Sequence, residues 1–177
     1  MIRISGKQME LVEATPELLH HALAGNKALS RHLGAEVPLH WTEFAPRSLE
    51  YTLTQLGKGP EQTGWWTYFP IWLPDQILVG SCGFKGPPDA TGIVEIGYET
   101  AVTYRGRGMA SRMARLLTQY AWSDERVRTI QAHTLAKENP STAILRRLGF
   151  QQTTVLVGSD RGDIWRWTIK KPLISKS

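Results

Sequence analysis

Two glycines stand between arginines at a point where a helix is expected to begin. In the segment TYRGRGMASRMARLLTQYA (residues 103–121), Gly106 follows Arg105 and Gly108 follows Arg107. Glycine adopts unusual backbone angles and lets the main chain approach a ligand closely. A helix N-terminus offers unpaired N–H groups and a partial positive charge. The segment therefore predicts an anion site, with phosphate as the expected group; a plain tight turn is the alternative.

The spacing of these glycines excludes the two common nucleotide-binding loops. No Gly-Lys-Ser/Thr follows them, and Ser111 stands where the dinucleotide fingerprint needs its third glycine. What remains is Arg105-x-x-Gly108-x-Ala110. This pattern resembles the Gln/Arg-x-x-Gly-x-Gly/Ala signature of the GNAT family of N-acetyltransferases. In that family the signature joins the fourth strand to the third helix and binds the pyrophosphate of acetyl-CoA.

The resemblance extends beyond the loop and covers roughly residues 76–168. The EIGY strand and the segment ENPSTAILRRLGF are most similar to the RimJ/RimL-like branch, the ribosomal-protein N-terminal acetyltransferases. Many members space the Asn and Ser of the last helix three apart, whereas Asn139 and Ser141 are two apart. The resemblance implies one α/β (α+β) domain over residues 1–177. A helical acceptor-side front end is expected at about 15–58.

The resemblance also implies where acetyl-CoA binds as cosubstrate. Its pantetheine arm is expected between the strands IVEIGYETA and RTIQAHTL, which splay apart at their ends in this family. The implied cosubstrate contacts are Thr100, Ala101, Val102, Arg105, Gly106, Arg107, Gly108, Met109, Ala110, Asn139 and Ser141. Among the arginines, Arg105 is the expected direct contact.

Amine acetylation needs a group that takes a proton from the attacking amine. At pH 7, deprotonation costs a lysine-like amine about 4–5 kcal/mol but an α-amine only about 1–1.5 kcal/mol. One modest base, acting directly or through water, therefore suffices for an N-terminal amine. Glu95 is the candidate, because the family often carries a glutamate on this strand. Glu99 on the same strand face and His133 are rivals; a solvent-facing carboxylate is the structural alternative.

The departing thiolate of CoA needs a proton in return. In the family the donor often lies near the start of the last helix, which points to Ser141 and Asn139. Both residue types also cap helices well, and a tyrosine could serve instead. Cys82 is expected to be a small core residue rather than an acyl carrier, and no metal is expected.

The acceptor side is expected among aromatic residues of the first half of the chain. The candidates are His40 and Trp41 in the loop AEVPLHWTEF, and Trp66 and Tyr68 in the run GWWTYFPIWLP. Core packing explains about half of this dense cluster. The acceptor itself stays open between a protein N-terminal α-amine and a small-molecule amine.

Periodicity and turn residues predict the elements that position these side chains. Helices are expected in TPELLHHALAG with Thr15 as N-cap, NKALSRHLG, APRSLEYTLTQLGKG, the stretch after Gly108, and NPSTAILRRLGF. Strands are expected in KQMELVEA, GWWTYFPIWLP, QILVGSCGFKG, IVEIGYETA, RVRTIQAHTL, FQQTTVLVG and DIWRWTIKK. DATG and SDRG are the expected hairpin turns. The order predicts a mixed, mostly antiparallel sheet flanked by helices, with splayed central strands.

Composition sets outer limits on these interpretations. The 177 residues are 41% hydrophobic and 21% charged, with a net charge of +5. One cysteine excludes an internal disulfide, and no apolar run approaches the roughly 18–20 residues of a membrane span. We expect a cytoplasmic protein, with a homodimer as an open alternative. Specific nucleic-acid binding is not expected because the basic residues are scattered; a non-catalytic CoA-binding module is the remaining rival.

Overall fold

The computed structural model describes residues 1–158 and 162–172 as a sheet flanked by helices. Within these residues the helices are α1 (Pro16–Ala24), α2 (Asn26–Leu33), α3 (Arg47–Leu56), α4 (Met109–Ser123) and α5 (Pro140–Arg147). The strands are β1 (Arg3–Ser5), β2 (Met9–Glu13), β3 (Thr67–Trp72), β4 (Ile77–Leu78), β5 (Gly80–Phe84), β6 (Ile93–Thr100), β7 (Thr129–Leu135), β8 (Gln151–Leu156) and β9 (Ile164–Lys170).

The strands form one mixed sheet in the order β1-β2-β3-β5-β6-β7-β9-β8, with β4 paired to β3. All described pairs are antiparallel except β6 and β7, which run parallel. The predicted mixed, mostly antiparallel sheet is therefore confirmed. The DATG turn joins β5 to β6, which pair as predicted.

Two hydrophobic cores lie on opposite faces of the sheet. On one face, α4 and α5 bury Met113, Leu117 and Leu145 against residues such as Ile96 and Trp167. The other core joins buried leucines of α1, α2 and α3 to β2, β3 and β4. Each face is therefore covered by different helices, and α1–α3 reach only one end of the sheet.

Local capping follows the sequence closely. Thr15 caps α1, accepting a hydrogen bond from the Leu18 N–H at 3.3 Å. Asn139 and Thr142 form a reciprocal capping box at the start of α5. Gly149 follows the end of α5 with a left-handed φ of 89°, which favours glycine.

Two features differ from the predicted elements. β1 was not predicted, because its three residues are too short for a periodic signal; it pairs with β2. The run QILVGSCGFKG is split into β4 and β5 rather than forming one strand. Gly80 stands at the break with φ 154°, where a Cβ would lie 2.0 Å from the Glu99 carbonyl oxygen. Residues 159–161 of the predicted SDRG turn lie outside the described residues.

The described residues contain neither a membrane-spanning helix nor a metal-binding cluster. In residues 1–158 and 162–172, no helix combines the length and apolar character needed to cross a bilayer. In the same ranges, no cluster of three or more His, Cys, Asp or Glu side chains has an arrangement that could hold a metal ion.

Candidate active site

The loop before α4 exposes a run of free backbone donors. Gly106 and Gly108 take left-handed φ angles of 75° and 76°, which residues with a Cβ avoid. Among the described residues, no protein acceptor contacts the backbone N–H groups of residues 106–111. A Cβ at either glycine would meet no atom within 4 Å. The loop therefore leaves open space beside its donors, at the positive end of the helix dipole.

Arginine side chains surround this loop. The Arg105 guanidinium donates to the Thr100 carbonyl at 3.3 Å and pairs with Glu43 at 3.1 Å. The Arg107 guanidinium carbon lies 5.2 Å from the centre of the Tyr104 ring. Both arginines are exposed, so the loop combines free N–H groups with nearby positive charge.

A gap opens between β6 and β7 beyond their short parallel pairing. The pairs Ile93–Thr129, Val94–Ile130 and Glu95–Gln131 join the strands. Residues 96–100 pair only with β5, so the other edge of this stretch has no strand partner in the described structure. The predicted splay of these two strands is therefore present.

Polar groups without protein partners lie on the same stretch of β6. Within the described residues, the buried Tyr98 Oη and Thr100 Oγ1 have no hydrogen-bond partner. Burial raises the pKa of Tyr98 to about 12, although the neighbouring Ser141 hydroxyl acts in the opposite direction. Tyr98 therefore keeps its proton at neutral pH and can donate a hydrogen bond.

These features fit acetyl-CoA. The free N–H groups of residues 106–111 and the exposed arginines suit a diphosphate. The unpaired edge of β6 leads from that loop along a gap that an extended arm can occupy. The residues that would hold the cosubstrate are therefore those of the loop, the unpaired edge of β6 and the start of α5.

A pocket of about 350 Å³ lies beside this gap. Strands β5, β6 and β7, the loop between α2 and α3, and the start of α5 all contribute to its lining. The lining residues that carry the chemistry discussed below are Phe44, Lys85, Glu95, Tyr98, His133 and Ser141.

Glu95 is held by three donors within this pocket. Its carboxylate accepts hydrogen bonds from Lys85 Nζ, from His133 Nδ1 at 3.0 Å and from Gln131 Nε2 at 3.1 Å. Burial alone would raise the pKa of Glu95, but the hydrogen bonds and charges of Lys85 and His133 outweigh it and lower the pKa. Glu95 is therefore ionised at neutral pH and is a weak base.

Glu99, the rival on the same strand face, binds the loop between α2 and α3. Its carboxylate oxygens accept from Thr42 Oγ1 at 2.7 Å and from the Glu43 N–H at 2.7 Å. Since Glu43 also pairs with Arg105, this loop is tied both to β6 and to the loop before α4. Both oxygens of Glu99 are thus engaged in positioning the loop.

His133 lies between Glu95 and Arg166. Arg166 Nε donates to His133 Nε2 at 3.2 Å, so Nε2 is the accepting nitrogen of the ring. Nδ1 then carries the proton that faces Glu95. In this arrangement both ring nitrogens of His133 are engaged, and its accepting nitrogen is already occupied by Arg166.

The aromatic residues predicted for the acceptor side lie elsewhere. Tyr68 is 0% exposed, and its hydroxyl donates to the Gly64 carbonyl at 2.8 Å. Trp41 and Trp66 are buried at 4% and 9% exposure, and His40 is exposed on its loop. None of these four side chains lines the described pocket. Core packing accounts for Tyr68 and Trp41, whereas Phe44 reaches the pocket from the same loop as His40.

The predicted residues at the start of α5 divide between two roles. The Asn139 side chain is engaged at both ends, accepting from the Thr142 N–H at 3.1 Å and donating to the Lys137 carbonyl at 2.9 Å. Ser141 lines the pocket beside Tyr98.

Cys82 is buried, and burial raises the pKa of its thiol.

Lys85 is the main residue that sequence reasoning missed. Its ion pair with Glu95 crosses the hairpin of β5 and β6. The register pairs Phe84 with Ile96, so the next position brings Lys85 opposite Glu95. The predicted DATG turn indicated this pairing, because a hairpin centred near residue 90 places Lys85 opposite Glu95.

The chain matches known acetyltransferases in sequence. The family model described as "Acetyltransferase (GNAT) domain" matches residues 10–151. The uncharacterized N-acetyltransferase YjdG of Bacillus subtilis (strain 168) is 27% identical over 151 residues. That match covers 84% of this chain and 85% of YjdG.

Solved structures show the same fold at low sequence identity. RimL, a ribosomal L7/L12 alpha-N-protein acetyltransferase in complex with coenzyme A, matches with a TM-score of 0.68 and 19% identity. The match covers 96% of this chain and 98% of RimL. A dodecameric spermidine N-acetyltransferase from Vibrio cholerae matches with a TM-score of 0.67, 15% identity and coverage of 94% and 95%. These likenesses concern the fold.

Proposed function

The chain belongs to the GNAT acetyltransferase family and is an N-acetyltransferase that uses acetyl-CoA, and we propose that it acetylates the N-terminal α-amine of a polypeptide. Acetyl-CoA supplies an activated acetyl group as a thioester, and the amine attacks it directly. The similar folds include enzymes named for protein N-termini and for spermidine, so the choice of acceptor is argued from the pocket.

The choice of an α-amine as the acceptor rests on the protonation state of Glu95. Its pKa is lowered and it is held by Lys85, so it has little power to remove a proton from a strongly basic amine. An α-amine, with a pKa of about 7.7–8.0, is substantially neutral at physiological pH, whereas a lysine-like amine near 10.4 is not. The weak base therefore favours an α-amine over a polyamine or a lysine side chain.

Two residues have assigned roles in this proposal. Glu95 accepts, directly or through a water molecule, the proton that the amine loses. Ser141 Oγ donates the proton that the departing CoA thiolate needs, and its position in the pocket beside Tyr98 supports that role. The exposed Phe44 at the pocket gives an extended acceptor an apolar contact at its entrance.

The test is an acceptor panel measured by release of CoA thiol and by product mass. The panel contains a short peptide with a free N-terminus, the same peptide blocked at its N-terminus but carrying a lysine, and spermidine. We expect the free α-amine to have the highest kcat/KM. A preference for spermidine or for the blocked peptide would contradict the proposed acceptor.

Glu95→Gln tests the assigned base. We expect kcat to fall about 100-fold, while acetyl-CoA affinity measured by calorimetry changes little. Glu125→Gln removes an exposed carboxylate after α4 and serves as the matched control. An unchanged kcat in Glu95→Gln would remove Glu95 from the mechanism and leave proton acceptance to water.

A further inference from the structure

Within residues 1–158 and 162–172, no helix covers the β7-β9-β8 part of one sheet face. The face that carries Glu95 is covered by α1–α3 at the β2–β3 end, through a core that includes Val12, Phe69 and Leu29. Along the register the same face continues through Gln131 on β7 and Thr168 on β9. Residues of this face on β7, β9 and β8 are half-buried or exposed. We call this surface, formed by β6, β7, β9 and β8, the open face.

The open face begins at the pocket. Glu95 and His133 line the pocket and belong to this face. His133 is paired in register with Arg166 on β9, and Arg166 is paired with Thr154 on the edge strand β8. An acceptor whose amine reaches Glu95 can therefore lay its following residues along β7, β9 and β8.

Positive charge dominates the open face and its border. Lys85, with a side chain 63% exposed, stands at the pocket, where its charge and that of Glu95 offset each other. Arg166 and the exposed Lys170 lie on β9, on the same face as His133. Strands β7, β8 and β9 contain no aspartate or glutamate.

The pocket carboxylates offer no free negative charge to offset this surface. Glu95 is only 14% exposed and is held by Lys85, His133 and Gln131. Glu99 has both oxygens hydrogen-bonded to the loop at Thr42 and Glu43. On β7, β8 and β9 an approaching acceptor therefore meets Arg166 and the exposed Lys170, with no carboxylate on those strands.

We propose that the open face binds acidic residues that follow the acceptor's N-terminal amine. This inference rests on the proposed function, because it assumes a polypeptide acceptor. Complementary charge steers and orients such a chain, although each exposed pair adds only a modest factor to affinity. The occupant is thus a polypeptide with Asp or Glu shortly after its first residue.

The experiment compares three peptides that share the same first residue. The following residues are acidic in one, neutral in the second and basic in the third. At low salt we expect kcat/KM for the acidic peptide to exceed that for the basic peptide by roughly three- to tenfold. The difference should shrink in about 0.5 M NaCl, because salt screens exposed charges.

Variants that each remove one charge show which surface causes the preference for acidic peptides. Lys170→Gln should lower the acidic-to-basic ratio two- to threefold, roughly the share of one exposed charge pair. Arg115→Gln removes an exposed arginine from α4, across the sheet, and should leave the ratio unchanged. An equal loss in both variants would show a general charge effect and overturn the assignment to the open face.

The other outcomes separate this inference from the proposed function. If the three peptides are acetylated equally well, the inference fails and the α-amine proposal stands. If no peptide is acetylated, the proposed function fails, and this inference with it. If sedimentation shows a dimer that dissociates in Lys170→Glu, a second copy covers the open face and the inference is overturned.

Discussion

Replacing Lys85 with methionine should raise the pKa of Glu95. The lysine lowers that pKa by a hydrogen bond and by its charge, while burial acts in the opposite direction. Because the Lys85 side chain is 63% exposed, solvent screens much of the attraction. Removing the lysine charge therefore raises the pKa of Glu95 by less than the loss of a fully buried ion pair would. Methionine keeps much of the aliphatic length of lysine without its charge.

The pKa can be measured directly by NMR. Protein labelled with ¹³C at the glutamate side-chain carboxyl is titrated from neutral pH into acid, and the Glu95 signal is assigned as the one missing in Glu95→Gln. Stability gives a second readout. A lowered folded-state pKa contributes stability above the unfolded-state pKa of about 4.3, and this is lost as pH falls through the folded pKa. The stability deficit of Lys85→Met should therefore be largest near neutral pH and shrink below about pH 4.

Lys27→Met provides the matched control, since Lys27 is exposed on α2 away from the pocket. It should leave the Glu95 titration unchanged. If Glu95 titrates at the same pH in Lys85→Met as in the parent protein, and the variant is folded, the ion pair does not control this carboxylate. The electrostatic basis for an α-amine acceptor would then be refuted.

Two further predictions concern backbone geometry and capping. Gly108→Ala and Gly34→Ala place a Cβ at φ 76° and 71° with no atom within 4 Å, so each should lower the free energy of unfolding by about 1 kcal/mol. Only Gly108→Ala should weaken acetyl-CoA binding in calorimetry, because only that residue orients the N–H groups of residues 106–111. Asn139→Ala should cost about 1 kcal/mol in urea unfolding through loss of the α5 cap, and an unchanged midpoint would contradict the capping role.

The sequence alone predicted the elements whose caps and apolar periodicity follow from neighbouring residues. Thr15 and Asn139 are good caps followed by proline, and both cap helices in the structure. The stripe that includes Met113 and Leu117 places α4 on the sheet as expected. The strand splay came from the family resemblance, since neither periodicity nor spacing contains it.

The candidate site was harder to predict because it depends on which faces of each strand the helices cover. Tyr68 and Phe69 alternate along β3 and are both fully buried, since helices cover both faces there. Strand β7 keeps one face open, and His133 reaches the pocket. The alternation of residue types along a strand cannot tell whether helices cover both of its faces or only one. Lys85 was missed for a related reason, because its partner is fixed by hairpin register rather than by its neighbours in the chain.

The short β6–β7 junction determines what holds the two halves of the sheet together. Within the described residues, backbone pairing joins β6 to β7 at residues 93–95 and 129–131. Beyond these pairs the halves are joined by side chains, because the core that includes Ile96, Ala132 and Trp167 spans both of them. The width of the gap beyond residue 95 is thus set by side-chain packing rather than by strand pairing.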